Sequence, residues 1–360
     1  MKKSLFILAT AALVLASCNN DVTIAENQTL GDQPQEIGFA AYNVPVKRVM
    51  SHAPIQGSTF PVGNTMEVVA YQTDPDAENY FTKTTFKKDA STWRAWDGTK
   101  FAPKYWPLSA AKLNFFAVSG ADVNNADITI DEDLDKDDLA NVNYKKAGAT
   151  GSYTNATQSD IMYAFGRGYV KQSGNALYFN REDAGADVPV NMVFKHTMSV
   201  LKFQVKAADD ASKAITINSI KVNGASYTGA LKLTSDATIT ANTGDPTITI
   251  AWTPDAAENG VTVPNMSGSL TTTYAPADGG AEGTWASLVI VPQSTGFTSF
   301  TVNYTFDGHT YDYTYTPSPV VSVAAGNVYT YKLNFQLHEI TISPSVTEWA
   351  TGSVAVVNIP

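Results

Sequence analysis

Apolar and polar residues alternate with a period of two along most of this chain, and a helical 3.6-residue rhythm is almost absent. In the clearest stretch Phe300, Val302, Tyr304 and Phe306 alternate with Thr301, Asn303 and Thr305. Asp307-Gly308 follows, and then Tyr311, Tyr313 and Tyr315 alternate with Thr310, Asp312 and Thr314. Asp-Gly between two alternating runs predicts a hairpin, because a type I′ turn needs positive φ at both central residues. The same pattern predicts strands over Glu36 to Tyr42, Met66 to Gln72, Lys112 to Val118, Ile161 to Phe165, Val190 to His196, Val200 to Lys206 and Ile215 to Val222. Further strands are predicted over Ile248 to Trp252, Ala286 to Val291 and Val328 to Leu337. In the last of these Tyr329, Tyr331, Leu333, Phe335 and Leu337 share one face.

Turn clusters such as Asp74-Pro75-Asp76 and Asp278-Gly279-Gly280 separate the runs. Short strands so divided predict an all-β chain made of β-sandwiches. The apolar parity shifts between Met198 and Leu201, which predicts a bulge or a strand break there. Residues 119 to 160 hold few apolar side chains and many Asp, Asn, Lys and Gly, and are expected to form a long surface excursion.

The beginning of the chain follows another pattern. Lys2 and Lys3 precede an apolar run from Leu5 to Ala16, and Leu15-Ala16-Ser17-Cys18 follows the pattern of a cleavage site. A basic segment, a short apolar segment and small residues define a secretory signal, and the run is too short for a bilayer, which needs about 20 apolar residues. The four residues resemble a bacterial lipobox, with Cys18 as the lipid-bearing residue. Residues 1–17 are then a signal peptide. Cys18 is the only cysteine, so neither a disulfide nor a cysteine metal site is expected in the mature chain. About 340 of the 360 residues remain, which suggests two domains, and the polar stretch Asn180 to Asp187 places their boundary: 18–187 and 188–360.

Charge and motifs narrow the chemistry. A net charge of −10 argues against nucleic acid as a partner. The histidines stand at 52, 196, 309 and 338, with no pair at metal-ligand spacing. Gly224-Ala225-Ser226-Tyr227-Thr228 lacks the closing glycine of a nucleophile elbow, and Lys171 stands where a dinucleotide fingerprint begun by Gly166-Arg167-Gly168 needs its third glycine. The acidic run Asp131 to Asp138 has Lys136 and Val142 where a calcium loop of EF-hand type needs glycine and glutamate. No catalytic residue, metal site or cofactor is therefore expected, and the chain is read as a non-enzyme. Trp93, Trp96, Tyr105 and Trp106 leave two readings: aromatic core, or, for Trp93, Trp96 and Trp106, stacking platforms for a glycan on a surface lipoprotein. His196, in an apolar run, reads as a half-buried, hydrogen-bonded histidine.

Several short segments, in order, resemble the fimbrillin family of Bacteroidetes-type pili. After the lipobox come Glu36-Ile37-Gly38-Phe39, Phe60-Pro61-Val62-Gly63-Asn64, Tyr105-Trp106-Pro107, Ser159 to Ala164, and Phe194-Lys195-His196 followed by Leu201-Lys202-Phe203. Val291-Pro292-Gln293, Ala325 to Tyr331 and Glu348-Trp349 close the series. The resemblance implies two transthyretin-like β-sandwich domains in tandem and export as an outer-membrane lipoprotein precursor. It also implies cleavage after an arginine by an arginine-specific surface protease, loss of the first strand, and strand exchange with other pilus subunits in an extracellular fimbrium used for adhesion and biofilm formation.

Two features suit that scheme. Lys47-Arg48 follows the predicted first strand, about 36–42, and precedes the loop Ser51 to Gly57, which makes Arg48 the candidate cut site. In the tail, 353–359, Val354 and Val356 point one way and Ala355, Val357 and Ile359 the other, as a strand buried on both faces requires. From the residues alone, Lys47-Arg48 is equally an ordinary basic loop and the tail an ordinary last strand of its own domain.

Overall fold

The computed structural model describes residues 36–43, 60, 62–72, 78–90, 92–107, 112–120, 128–130, 139–144, 158, 160–171, 179–180, 190–207, 215–236, 246–276, 286–336, 340–348 and 355–356. All of them fall in one unit, Pro34–Pro360. Among them are strands and turns and no helix. The strands are β1 (Phe39–Asn43), β2 (Thr65–Gln72), β3 (Glu78–Lys88), β4 (Trp93–Ala95), β5 (Lys112–Ser119), β6 (Ile128–Ile130), β7 (Ala140–Tyr144), β8 (Met162–Lys171), β9 (Phe179–Asn180), β10 (Val190–His196) and β11 (Ser199–Ala207). There follow β12 (Ile215–Asn223), β13 (Gly229–Ser235), β14 (Ile248–Pro254), β15 (Val261–Thr262), β16 (Gly268–Ser269), β17 (Ser287–Ile290), β18 (Ser299–Phe306), β19 (His309–Tyr315), β20 (Asn327–Phe335), β21 (Ile340–Glu348) and β22 (Ala355–Val356).

The first half forms an eight-stranded sheet in the order β10-β1-β4-β3-β2-β5-β8-β9. β10 also pairs with β8, at Lys195↔Tyr163 and His196↔Met162, so seven of these strands close on themselves around an enclosed core. Met66, Val68 and Ala70 of β2, Leu113, Phe115 and Ala117 of β5, and Met192 and Phe194 of β10 fill that core. The opposite faces of β2, β5 and β8 are buried too: Val69, Tyr71, Phe116, Val118 and Tyr163 pack under a four-stranded sheet, β14-β13-β7-β6. Strands covered on both faces lose the hydrophobic-in, polar-out pattern, as β2 does from Val68 to Tyr71, where four successive apolar residues are buried.

In the second half two five-stranded sheets face each other, β17-β11-β20-β21-β22 against β15-β12-β18-β19 with β16 on β12. Phe203 of β11 meets Phe300 of β18 edge-on at 5.1 Å, and Tyr331 of β20 meets Phe300 at 5.4 Å. This is sandwich packing, with alternate residues interdigitating between sheets. The Asp307-Gly308 turn has φ values of 51° and 75° and joins β18 to β19 in register from Phe306↔His309 to Phe300↔Tyr315, as the sequence predicts.

The run from Val190 to Ala207 breaks between β10 and β11, at Thr197-Met198, and its two parts enter different sheets. Residues 119 to 160 depart from expectation. β6 and β7 lie in this region, and Leu139, Ala140 and Val142 are buried. β7 needs only every second residue to be apolar, and exposed Asn141 and Asn143 keep its composition polar. β7 pairs with β13, so the four-stranded sheet contains strands from both sides of the stretch Asn180 to Asp187.

Candidate assembly site

The segment Glu36 to Asn43 is inserted between two other parts of the chain. β1 runs parallel to β10, from Phe39↔Val190 to Asn43↔Phe194, and meets β4 at Phe39↔Trp93. Ahead of it, Ile37 N donates to Lys104 O at 2.7 Å, and Val190 N donates to Gly38 O at 3.2 Å. Arg94 holds the Glu36 carboxylate through both guanidinium Nε (3.0 Å) and Nη2 (3.2 Å). That carboxylate pushes the Arg94 guanidinium up, against a smaller opposing effect of burial. The pair is about one-third exposed, so its contribution is small, about 0.2–1 kcal/mol.

Apolar contacts fix the segment more strongly. Ile37 and Phe39 are almost fully buried. The Phe39 ring meets Phe86 at 4.8 Å and Phe115 at 5.2 Å, both edge-on. Phe60, beyond the candidate cut site, packs on Trp93 at 5.2 Å and Phe194 at 5.0 Å. The slot holding β1 is thus walled by aromatic rings and flanked by two strands whose backbone groups it pairs. Such a slot, once empty, would present unpaired edges to any extended segment.

The other end of the chain is held differently. Of the predicted donor segment 353–359, Ala355–Val356 form β22, antiparallel to β21 at Ser345↔Val356 and Val346↔Ala355. β21 carries Pro344 in mid-strand, a residue without an N–H and characteristic of sheet edges. Cys18, Arg48, Val354, Val357 and Ile359 lie outside the described residues, and so do the acidic run 131–138 and His52 and His338.

The tryptophans divide. Trp93 and Trp106 are 0% and 4% exposed, inside the closed sheet, so neither can offer a face to a glycan. β4 turns Trp93 inward, and Trp106 packs edge-on against Phe115 at 5.7 Å. Trp96 is half-buried on the outside, with the Lys87 ammonium 4.1 Å from its ring centroid. Tyr105 is exposed.

His196 is a buried structural residue. Its Nδ1 lies against Oδ2 of Asp160, itself 3% exposed, and burial pushes the Asp160 carboxyl up despite the pull of the imidazole. Around this pair Thr197 donates through N and Oγ1 to Ile161 O, and Trp252 Nε1 donates to Thr197 O at 2.7 Å. Gln158 bridges Ser287 O and Val289 N. The pair therefore sits where β8, β10 and β11 meet, a junction between sheets. Among the described residues no group of histidine, cysteine or carboxylate side chains could hold a metal.

The fimbrillin-like family matches residues 52–349, most of the chain, and the chain belongs to that family. The family is one of structural fimbrial and adhesion proteins, and the chain is a pilus subunit by that membership. Its fold is that of a candidate cell adhesion protein from Bacteroides ovatus: TM-score 0.51 at 15% identity, covering 88% of this chain and 98% of that one. A fimbrial protein from Bacteroides vulgatus gives a TM-score of 0.48 at 14% identity, over 87% and 99%. The tip fimbrial protein Mfa3 from Porphyromonas gingivalis, with a C-terminal truncation, gives 0.38 at 10% identity, over 88% and 100%. Among proteins of curated function, none matches the sequence.

Proposed function

We propose that this chain is a polymerising pilus subunit that exchanges its end strands. It is exported as a precursor lipidated at Cys18 and anchored in the outer membrane. An arginine-specific surface protease cuts after Arg48 and releases β1, and the vacated slot between β10 and β4 takes residues 353–359 of a neighbouring subunit. The role is structural, without catalysis. Two tandem sandwich domains, 18–187 and 188–360, remain the reading of its organisation.

The observation that carries this proposal is the position of β1. It is an interior strand of its sheet, paired on both sides, yet it is joined to the rest of the chain by a segment containing Lys47-Arg48. Removing it uncovers the rings of Phe86 and Phe115 and unpairs β10, so the cut product has an apolar, hydrogen-bonding groove of strand length. β-Augmentation fills such grooves, with main-chain bonds for affinity and alternate side chains for specificity. The tail offers an alternating apolar face to the pocket that Phe39 fills between Phe86 and Phe115.

The test treats the purified precursor and an Arg48→Ala variant with an arginine-specific protease, following intact mass and oligomer ladders. The expected outcome is one cut after Arg48, then a ladder, with neither in the variant. A clean cut that leaves only monomer, or no cut at Arg48, overturns the scheme.

A further inference from the structure

The outer surface of the closed sheet carries a cleft that plays no part in strand exchange. On β3, Lys83, Thr85 and Lys87 project to one face, and on β2, Thr65 and Glu67 accompany them, in the register Thr65↔Lys87 and Glu67↔Thr85. Beyond β4 the chain adds Trp96, whose N–H bonds Thr85 O at 2.8 Å, and returns through a tight turn to Lys104. Together these residues wall an open cleft of roughly 680 Å³, within the ~300–1,000 Å³ of small-molecule sites.

The chemistry of the lining is specific. Its floor is the Glu67 carboxyl, only 5% exposed although it belongs to the outward set of β2, with Oε1 accepting from Thr85 Oγ1 at 2.8 Å. Burial pushes this carboxyl up, against the Thr85 hydrogen bond and the nearby Lys83 charge. The other lining carboxylate, Asp97, is spent on the turn, where Oδ1 accepts from Thr99 N, Thr99 Oγ1 and Lys100 N. The ammoniums of Lys87 and Lys104 rest near aromatic rings, Trp96 at 4.1 Å and Phe81 at 5.9 Å. Among the described residues neither ammonium meets a carboxylate in an ion pair. A chain of net charge −10 thus places Lys83, Lys87 and Lys104 around one recess, beside an indole and two threonine hydroxyls.

We propose that this cleft binds a saccharide bearing a carboxylate. The C–H face of a sugar ring lies against the exposed part of Trp96, ring hydroxyls donate to Glu67 and Thr85, and the sugar carboxylate meets Lys87 and Lys104. A neutral sugar would leave the ammoniums of Lys87 and Lys104 without a counter-charge. The site is independent of strand exchange, since none of its residues lies on β1 or in the tail.

The test titrates the full chain with 3′-sialyllactose, lactose and lactose 3′-sulfate, which carries a sulfate and no carboxylate, by calorimetry. Wild-type protein is expected to bind sialyllactose at least about tenfold more tightly than lactose, in keeping with charge-assisted hydrogen bonds to a carboxylate. It is also expected to bind sialyllactose more tightly than the sulfated sugar. Lys87→Gln and Trp96→Ala are expected to lose most of this affinity with melting temperatures near that of wild type, and Trp96→Phe to keep part of it. Equal binding of all three sugars, preference for the sulfated one, no heat up to ~10 mM ligand (a Kd of that order corresponds to negligible affinity), or variants that bind as wild type would each overturn the proposal.

Discussion

The first strand and the last one are both short extended segments at an end of the structure, and they are built in opposite ways. β1 pairs over five positions with β10, touches β4 on its other side, and sinks Phe39 among Phe86 and Phe115. β22 pairs over two positions with β21 alone, at the outside of a sheet whose preceding strand carries an edge-type proline. The difference teaches which end leaves a vacancy. Losing β22 returns β21 to being an edge, whereas losing β1 breaks a closed sheet in two places and opens its core. The proposed strand exchange needs one end that vacates a slot and one that can leave its own sheet cheaply, and under that proposal β1 takes the first role and the last strand the second.

The comparison breaks most sharply at Phe39. In the uncut precursor Phe39→Ala is expected to cost about 3–5 kcal/mol, the range for emptying a buried aromatic site, read as a lower urea midpoint with unchanged slope. A cost near zero would mean that β1 is not part of the core. Asp160→Asn should come next, at about 1–3 kcal/mol for an imperfectly replaced buried polar partner. Because Asp160 and His196 tie β8 to β10 at the junction of sheets, the loss should appear in cut and uncut chains alike, which separates the junction from the ends. Glu36→Gln, which weakens the partly exposed pair with Arg94, is expected to cost only about 0.2–1 kcal/mol and less at high salt. Smallest of all is the removal of residues 349–360, which takes from the described structure only the two-position pairing of β22 with β21: the precursor's stability should stay within about 0.5 kcal/mol, while the ladder after cleavage disappears.

How much of this was legible depends on whether the information was local. The β18–β19 hairpin was readable because its turn residues and alternation lie side by side in sequence, and the parity shift between Met198 and Leu201 marked a break that falls just ahead of it, at Thr197-Met198. β3 was not readable. Phe81 and Phe86 are an odd number of residues apart, so strict alternation puts them on opposite faces, yet both reach the core because the register with β2 slips between Ala70↔Phe81 and Val68↔Thr84. β13 was obscured by its Gly229 start, a position where a Cβ would stand 2.6 Å from Thr253 O, and β21 by Pro344.

The candidate site shows the same division. The strand at Glu36 to Tyr42 was visible from its own residues, but its neighbours were not, since β10 and β4 come from distant parts of the chain. Aromatic density around Trp93 marked a core or a platform without saying which ring faces where. The structure sends Trp93 and Trp106 inward and leaves Trp96 outside. Nothing in the sequence pattern marked Glu67, whose outward position on β2 becomes a cleft floor only when β3 and the turn after β4 rise beside it.

The most direct test of strand exchange uses the chain's single cysteine. Cleavage after Arg48 removes Cys18 and leaves a cysteine-free subunit, so Asn191→Cys on β10 can be combined with a cysteine at each of positions 354 to 357 in turn, in a Cys18→Ser background that keeps the uncut control free of a third thiol. After cleavage and assembly, mild oxidation should yield disulfide-linked ladders for at least one position, and none from the uncut precursor, where β1 occupies the place beside β10. Ladders absent at every position, or a crosslink already complete within the uncut chain, would contradict the exchange of the last strand for the first.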